Sequence, residues 1–248
     1  MSRTVLITGA SGLIGSYLRE ALAGKYTLRL LSDEAIPGEE TIVANIEDLE
    51  RLMEAFRGVE SVIHLAASAA VDSSWDEVLH NNLIGTYNVF EAARRAGVQQ
   101  VIFASSNHAV GTYESELAEE AKRPEHRIID HLVPPRPDSL YGVSKVFGEA
   151  LGRYYADHQG LRVICLRIGW ITKTDAPQGK EFADPETSMW QSQRDFAQLV
   201  EKCLEAPQVY YDVFYGVSNN PHGIFDLEHA RDVVGYVPQD SSAERNAD

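Results

Sequence analysis

Thr4-Val5-Leu6-Ile7-Thr8-Gly9-Ala10-Ser11-Gly12-Leu13-Ile14-Gly15 opens the chain with a short apolar, β-branched run followed by three regularly spaced glycines. The run reads as a buried first strand, and the residues after Ser11 read as an amphipathic helix to about Ala23. A glycine-rich turn between a strand and a helix is the setting in which a backbone holds a dinucleotide. Gly9 permits the tight turn, Gly12 lets the backbone approach a pyrophosphate, and Gly15 lets the helix pack closely on the strand. The first turn of the helix then faces the phosphates with unpaired N–H groups. The spacing is GxxGxxG rather than GxGxxG.

Outward from this stretch, strand-like and helix-like segments alternate. Strands are predicted at 4–8, 27–32, 41–44, 61–66, 100–105, 162–168 and 209–215, and helices at 12–23, 47–57, 75–96, 141–158, 191–205 and 226–234. Such alternation implies an α/β fold with a doubly wound parallel sheet of Rossmann type. Asp72, Ser73 and Ser74 are cap candidates for the helix over 75–96, and Gly97 ends it. The expected organisation is one dinucleotide-binding domain over 1–238 with a small C-terminal substrate lobe. Two segments, 114–137 and 172–188, read as irregular from their charge, proline and glycine. Substrate-binding elements are expected at about 107–140 and 170–190, because ligands sit at the carboxyl ends of such strands. The polar tail over 239–248 is expected to be frayed.

Composition bounds the function. A chain of 248 residues can bury a full core, and a net charge of −15 argues against binding driven by nucleic-acid phosphates. Cys165 falls in an apolar strand and Cys203 in a helix, so both read as packing residues; nothing points to a disulfide framework or a metal site. No apolar run reaches membrane-spanning length, and the chain enters a strand at once. A cytoplasmic enzyme is the expectation.

The chemistry lies in Tyr141-Gly142-Val143-Ser144-Lys145. A Tyr and a Lys four residues apart share one helix face. A free phenol, with a pKa near ~10, is a poor base at neutral pH. An ammonium beside it favours the phenolate and makes it a proton acceptor for an alcohol under oxidation.

With the glycine turn, this pair resembles the short-chain dehydrogenase/reductase superfamily in its extended, epimerase-like branch. The resemblance covers nearly the whole chain. It includes His64-Leu65-Ala66-Ala67, Asn82-Leu83-Ile84-Gly85-Thr86, Ala104-Ser105-Ser106, Leu166-Arg167-Ile168-Gly169 and Gly235-Tyr236-Val237-Pro238. It implies a catalytic triad of Ser106, Tyr141 and Lys145. Lys145 would also hold the nicotinamide ribose. The implied cofactor contacts are Gly9, Ser11, Gly12, Leu13, Ile14, Gly15, Ser32, Asp33, Asn45, Ile46, Leu65, Ala66, Ala67, Asn82, Lys145 and Ile168. The run Ser105-Ser106-Asn107-His108, with the segment around Tyr141, Arg167-Ile168-Gly169 and Met189-Trp190, looks like the uronate dehydrogenases. It also looks like the short-chain type of NAD-dependent glucose-6-phosphate dehydrogenase. Both oxidise the anomeric carbon of a pyranose to a lactone. Ser68, Asn107, His108, Tyr141 and Trp170 would then contact the sugar. A dimer packed through the helices near 75–96 and 141–158 is implied as well.

The departures from those patterns matter. Ala183–Ser188 carries no cation where uronate dehydrogenases place a carboxylate-clamping Arg. Ser68–Asp72 is uncharged or acidic where the sugar-phosphate relatives have an Arg. Lys173, Lys180 and Arg194 are the substitutes at hand. The balance moves toward a neutral aldose. The second strand ends in Ser32 and Asp33 rather than a single ribose-binding acid, and Asn45 replaces an acid on the adenine side. NAD is expected, with NADP possible, since Asp33 and Glu34 would repel a 2′-phosphate. A nucleotide-sugar epimerase or dehydratase is the alternative, although only 103 residues follow Lys145 to build a nucleotide-diphosphate lobe. A non-catalytic dinucleotide sensor is a further one.

Overall fold

The opening run forms β1 (Thr4–Thr8), four of whose five residues are buried, and it occupies the middle of the sheet. The structure is a computed structural model that describes residues 2–117, 125–177 and 185–245. After β1 come α1 (Leu13–Leu22), β2 (Thr27–Ser32), β3 (Thr41–Val43), α2 (Leu49–Ala55) and β4 (Ser61–His64). A helical rod follows as α3 (Trp75–Glu77), a π-helical stretch (Val78–Ile84) and α4 (Gly85–Ala96). Then come β5 (Gln100–Ser106), a 3-10 turn (Asn107–Ala109), α5 (Gly111–Leu117), α6 (Leu140–Gln159) and β6 (Arg162–Ile168). The chain closes with α7 (Pro185–Ser188), α8 (Gln193–Leu204), β7 (Tyr211–Gly216), α9 (Glu228–Val234) and α10 (Ser242–Arg245).

All seven strands pair in parallel in the order β3-β2-β1-β4-β5-β6-β7. This is the doubly wound sheet that the alternation predicted. The order reverses between β1 and β4, so a crevice opens there at the strands' carboxyl ends. Every residue of β4 and β5 is buried, as expected of strands covered on both faces. Helices α1, α8 and α9 cover one face, with Leu18, Leu22, Phe196, Leu199 and Ala230 packed on Val5, Ile7 and Ile102. Helices α2, α4 and α6 cover the other, with Leu52, Phe90 and Tyr155 against Leu6, Val101 and Phe103. Each Leu or Phe so buried contributes roughly 1.5–3 kcal/mol. A smaller third cluster joins Val110, Leu117 and Ile129 to Met189, Tyr215, Ile224 and Phe225, beside the crevice.

Local signals set the ends of these elements. Ser74 caps α3 in a capping box with Glu77, and Gly97 ends α4 at φ 75°. The predicted helix at 75–96 therefore exists, with a π-helical stretch inside it that the periodicity did not disclose.

Two expectations need correction. The segment from Glu114 does not begin irregularly: Gly111–Leu117 is helical, while 118–124 lie outside the described residues. Nor is the tail frayed from Gln239. Asp240 and Ser242 are buried, and Asp240 accepts from Ser192 Oγ at 2.6 Å. Arg194 closes a 2.5 Å ion pair on Asp240, so it is committed to the tail and not to a substrate. Of the other two candidate cations, Lys173 is exposed and Lys180 lies outside the described residues. Both cysteines are buried free thiols. No helix among the described residues is long and apolar enough to cross a membrane.

Candidate active site

A cleft of about 820 Å³ runs along the carboxyl ends of the strands, from the β2 terminus to β6. Gly9, Ser11, Gly12, Leu13, Ile14 and Gly15 form one wall, and Ser32, Asp33, Asn45, Ile46, Leu65, Ala66 and Ala67 extend it. All were expected from the sequence. The turn is built for close approach. Gly9 takes φ +68°, and its carbonyl accepts from Gly12 N at 3.1 Å. A Cβ on Gly15 would stand 2.5 Å from Gly9 O and 2.8 Å from Ala10 Cα, so only glycine lets α1 sit this low on β1. No side chain caps α1, whose first N–H groups are left to face the cleft. Ser32 Oγ lies 2.6 Å from Ser11 Oγ, which ties the end of β2 to the glycine turn.

These features fit NAD. The turn leaves room for a pyrophosphate at the N-terminus of α1, and the ends of β2 and β3 supply polar groups for the adenosine side.

The other end of the cleft is polar and assembled from distant segments. β5 delivers Ser106 at its last position, and Ser106 Oγ donates to Asn107 Oδ1 at 3.1 Å. Ser139 caps α6, which begins beside the 3-10 turn. A Cβ at Gly142 would stand 2.3 Å from His108 O, so the glycine lets α6 press against that turn. Tyr141 is consequently set beside Ser106, and its ring meets His108 edge-on with centroids 5.8 Å apart. His108 Nδ1 pairs with Asp138 at 2.7 Å. Lys145 is buried one turn along. Its Nζ donates to Ala104 O at 2.8 Å and lies 5.2 Å from the Tyr141 ring centroid.

Burial dominates the electrostatics. It pushes the Lys145 ammonium down to about 8. It also pushes the Tyr141 phenol up, with the neighbouring Ser106 hydroxyl working against it. The net direction at Tyr141 is therefore upward rather than the expected lowering, because burial is the largest effect on it. The ammonium donates to the Ala104 carbonyl and lies over the Tyr141 ring. Below the pair, His64 is held between Thr8 and Thr86 and pushed down to about 3 by burial, with the Lys145 charge adding to it. It stays neutral and leaves Lys145 as the local cation.

Ile168, Trp170, Asn107 and His108 line the cleft as expected. Ser68 and Asn82 do not. Asn82, in the π-helical stretch, accepts from Ser68 N at 2.8 Å and donates to Ser68 O and to Ser144 Oγ, both at 3.0 Å. It therefore braces the loop after β4 against α6 from behind the wall. The structure adds Asn81, Glu114 and Met189, which the sequence reading missed. Met189 reaches the cleft because Trp170 N donates to Met189 O and Gln191 N donates to Trp170 O, each at 2.9 Å. The Met-Trp pair was legible as a motif, but its placement was not. Glu114 sits in a charged segment that reads as solvated, yet it is buried and accepts from Asn107 Nδ2 at 3.0 and 3.2 Å.

Beneath the polar end lies a buried ion pair. Arg167 on β6 holds Glu149 of α6 at 2.9 and 3.0 Å, and Ser105 Oγ donates to Glu149 at 2.6 Å. Arg167 also reaches Tyr215 at 3.0 Å. The strand end carrying Ser106 is thereby tied to the helix carrying Tyr141 and Lys145.

Residues 5–171 match the NAD dependent epimerase/dehydratase family, and the chain belongs to it. Among curated relatives, it is 43% identical to the NAD-dependent glucose-6-phosphate dehydrogenase of Haloferax volcanii, over 98% of this chain and 96% of that one. It is 39% identical to the L-arabinose 1-dehydrogenase (NAD(P)(+)) of the same organism, over 96% of this chain and 97% of that one. Among solved structures, a mutant uronate dehydrogenase from Agrobacterium tumefaciens complexed with NAD superposes with a TM-score of 0.84 at 33% identity. That match covers 98% of this chain and 86% of the other.

Proposed function

We propose that the protein is an NAD-dependent sugar dehydrogenase that oxidises the anomeric carbon of a neutral aldose to the lactone. One observation carries the choice of a neutral sugar. Among the described residues lining the cleft, Lys145 is the only Lys or Arg, and it is committed to Ala104 O and the triad, while Asp33 adds negative charge. The kinship with an arabinose dehydrogenase supports the same reading. The identity with the glucose-6-phosphate dehydrogenase favours a second one, an aldose 6-phosphate. NADP is the competing cofactor, disfavoured by Asp33 at the end of β2.

In this reading Ser106 Oγ and the Tyr141 hydroxyl converge on the C1 hydroxyl and hold it in place. Tyr141 takes the hydroxyl proton as the C–H bond breaks. Lys145, protonated below about 8, stabilises the phenolate form of Tyr141 that accepts this proton. Asn107 fixes Ser106 Oγ through its side-chain oxygen, and Asp138 fixes the His108 ring at the mouth. NAD, held by the Gly9–Gly15 turn, supplies the hydride acceptor.

The test is reduced-nicotinamide formation with NAD and NADP over neutral aldoses, uronates and aldose 6-phosphates, alongside Tyr141→Phe. Turnover of a neutral aldose with NAD is expected, falling about 10²–10⁴-fold in the variant. Preference for a 6-phosphate establishes the second reading. NAD binding without turnover of any sugar refutes both.

The proposal extends to a cytoplasmic homodimer. Trp75 and Tyr87 on α3 and α4, and Val143 and Tyr154 on α6, are each about half exposed and support packing through these helices. Sedimentation of the purified protein as a monomer excludes the dimer.

A further inference from the structure

Glu114 is the carboxylate that the proposed mechanism leaves unused. It projects from the short helix α5 into the sugar end of the cleft, with the residue only 9% exposed. Among the described residues one donor holds it, the Asn107 amide, which contacts both of its oxygens. A carboxyl can take about four hydrogen bonds, so capacity is left on the side that faces the cleft. Asn107 Nδ2 is itself fully engaged, with Met189 Sδ at 3.7 Å on its other flank, and its oxygen accepts from Ser106. Side chains thus run in one line from Tyr141 through Ser106 and Asn107 to Glu114. The reacting hydroxyl belongs at the Tyr141–Ser106 end. Vicinal hydroxyls of a pyranose are about one hydrogen-bond length apart. A sugar whose O1 sits between Tyr141 and Ser106 therefore brings its next hydroxyl toward the Asn107–Glu114 end.

We propose that Glu114 is a specificity-determining residue whose carboxyl hydrogen-bonds the C2 hydroxyl of the aldose. This rests on the aldose reading above. Its physical consequence is asymmetric. A sugar with the hydroxyl satisfies the buried carboxyl, whereas a 2-deoxy sugar shuts it away from water with Asn107 as its only described partner. Sites of this kind reject the deoxy analogue far more strongly than apolar pockets reject a missing methylene. Burial already pushes the Glu114 carboxyl up to about 8, so at neutral pH it can donate to the hydroxyl as well as accept from it.

The test compares kcat/KM for the best aldose and for its 2-deoxy counterpart in wild type and Glu114→Ala, with NAD affinity as the control for folding. Wild type is expected to disfavour the 2-deoxy sugar by on the order of a hundredfold or more. The variant should lose most of that preference, mainly through a raised KM for the parent sugar, with NAD binding unchanged. If Glu114→Ala fails to bind NAD, Glu114→Leu, which fills the space but leaves no group to bond the hydroxyl, takes its place with the same readout. An unchanged preference in a variant that binds NAD overturns the role of Glu114 alone. A wild type that binds NAD but oxidises no aldose overturns the aldose reading, and this inference falls with it.

Discussion

On the nucleotide side of the cleft the wall is backbone and small side chains: Gly9, Gly12, Gly15, Ser11, Ala66 and Ala67, drawn from the ends of β1 and β4 and the start of α1. On the proposed sugar side it is a lattice of polar side chains, Ser106, Asn107, His108, Glu114, Tyr141 and Lys145, with Trp170 and Met189 also lining the cleft. The first side recognises a group common to every dinucleotide, and peptide N–H groups at a helix end suffice for that. The second must distinguish hydroxyls of one sugar from another, which needs side chains placed singly and supported from behind. Its support is costly: a buried ion pair, a buried lysine and a buried carboxyl lie within one small region. The nucleotide side should therefore fail through sterics, and the sugar side through electrostatics.

The sharpest test of the steric half is Gly15→Val. Its Cβ would fall 2.5 Å from the Gly9 carbonyl, so the turn must move away from its present path. NAD affinity should drop by at least about a hundredfold, or about 2.7 kcal/mol, measured by calorimetry. An unchanged affinity would break the comparison at its first limb.

The next effect belongs to the sugar side. Glu149→Leu leaves Arg167 buried without its counter-charge, which should destabilise the fold by about 3–5 kcal/mol in urea unfolding. Activity should fall at temperatures where the variant is still folded, because Ser105 loses its acceptor beside Ser106. Replacing both partners with apolar residues should recover most of the stability without the activity.

The smallest effect is a dependence on pH. Glu114 stands at about 8 in the fold against an ordinary 4.5, so the native state holds a proton that the unfolded chain releases between those values. Stability should therefore fall as pH rises from about 4.5 to about 8. Lys145, lowered from 10.5 to about 8, works in the opposite direction above that range. There the unfolded chain binds more protons, and stability from this group rises until about 10.5. Glu114→Gln should flatten the first slope, giving a Tm advantage over wild type on the order of 5 °C at pH 8 and little at pH 4.5. Equal melting temperatures at both pH values would show that the carboxyl is better solvated than its surroundings imply.

The two sides also differed in legibility. The glycine turn, its flanking strand and its helix were readable because the positive φ of Gly9 and the contacts of Gly12 and Gly15 are set within the turn itself. Tyr141, Lys145 and Ser106 were readable as a pattern, and the structure brings them to one place. Glu114 was not. A glutamate in a charged stretch before several prolines looks solvated, and only the packing of its neighbours Val110 and Leu117 on Ile129 and Met189 shows that the segment is folded in. The same holds for Asp240, whose polar neighbourhood reads as a loose tail but which Ser192 and Arg194 hold inside. Asn82 was assigned to the cofactor by its motif, yet in the fold it braces Ser68.

By itself the sequence determined the parallel α/β sheet and the dinucleotide turn, and it offered the Tyr141–Lys145 pair of the proposed triad. These depend on periodicity, on glycine sterics and on residues one helical turn apart. Only the tertiary structure decided which polar groups lose their water. That sets Lys145 and Glu114 both near 8, raises Tyr141, and keeps His64 neutral. Desolvation depends on segments far apart in the chain closing over one another, and no local pattern records which of them will meet.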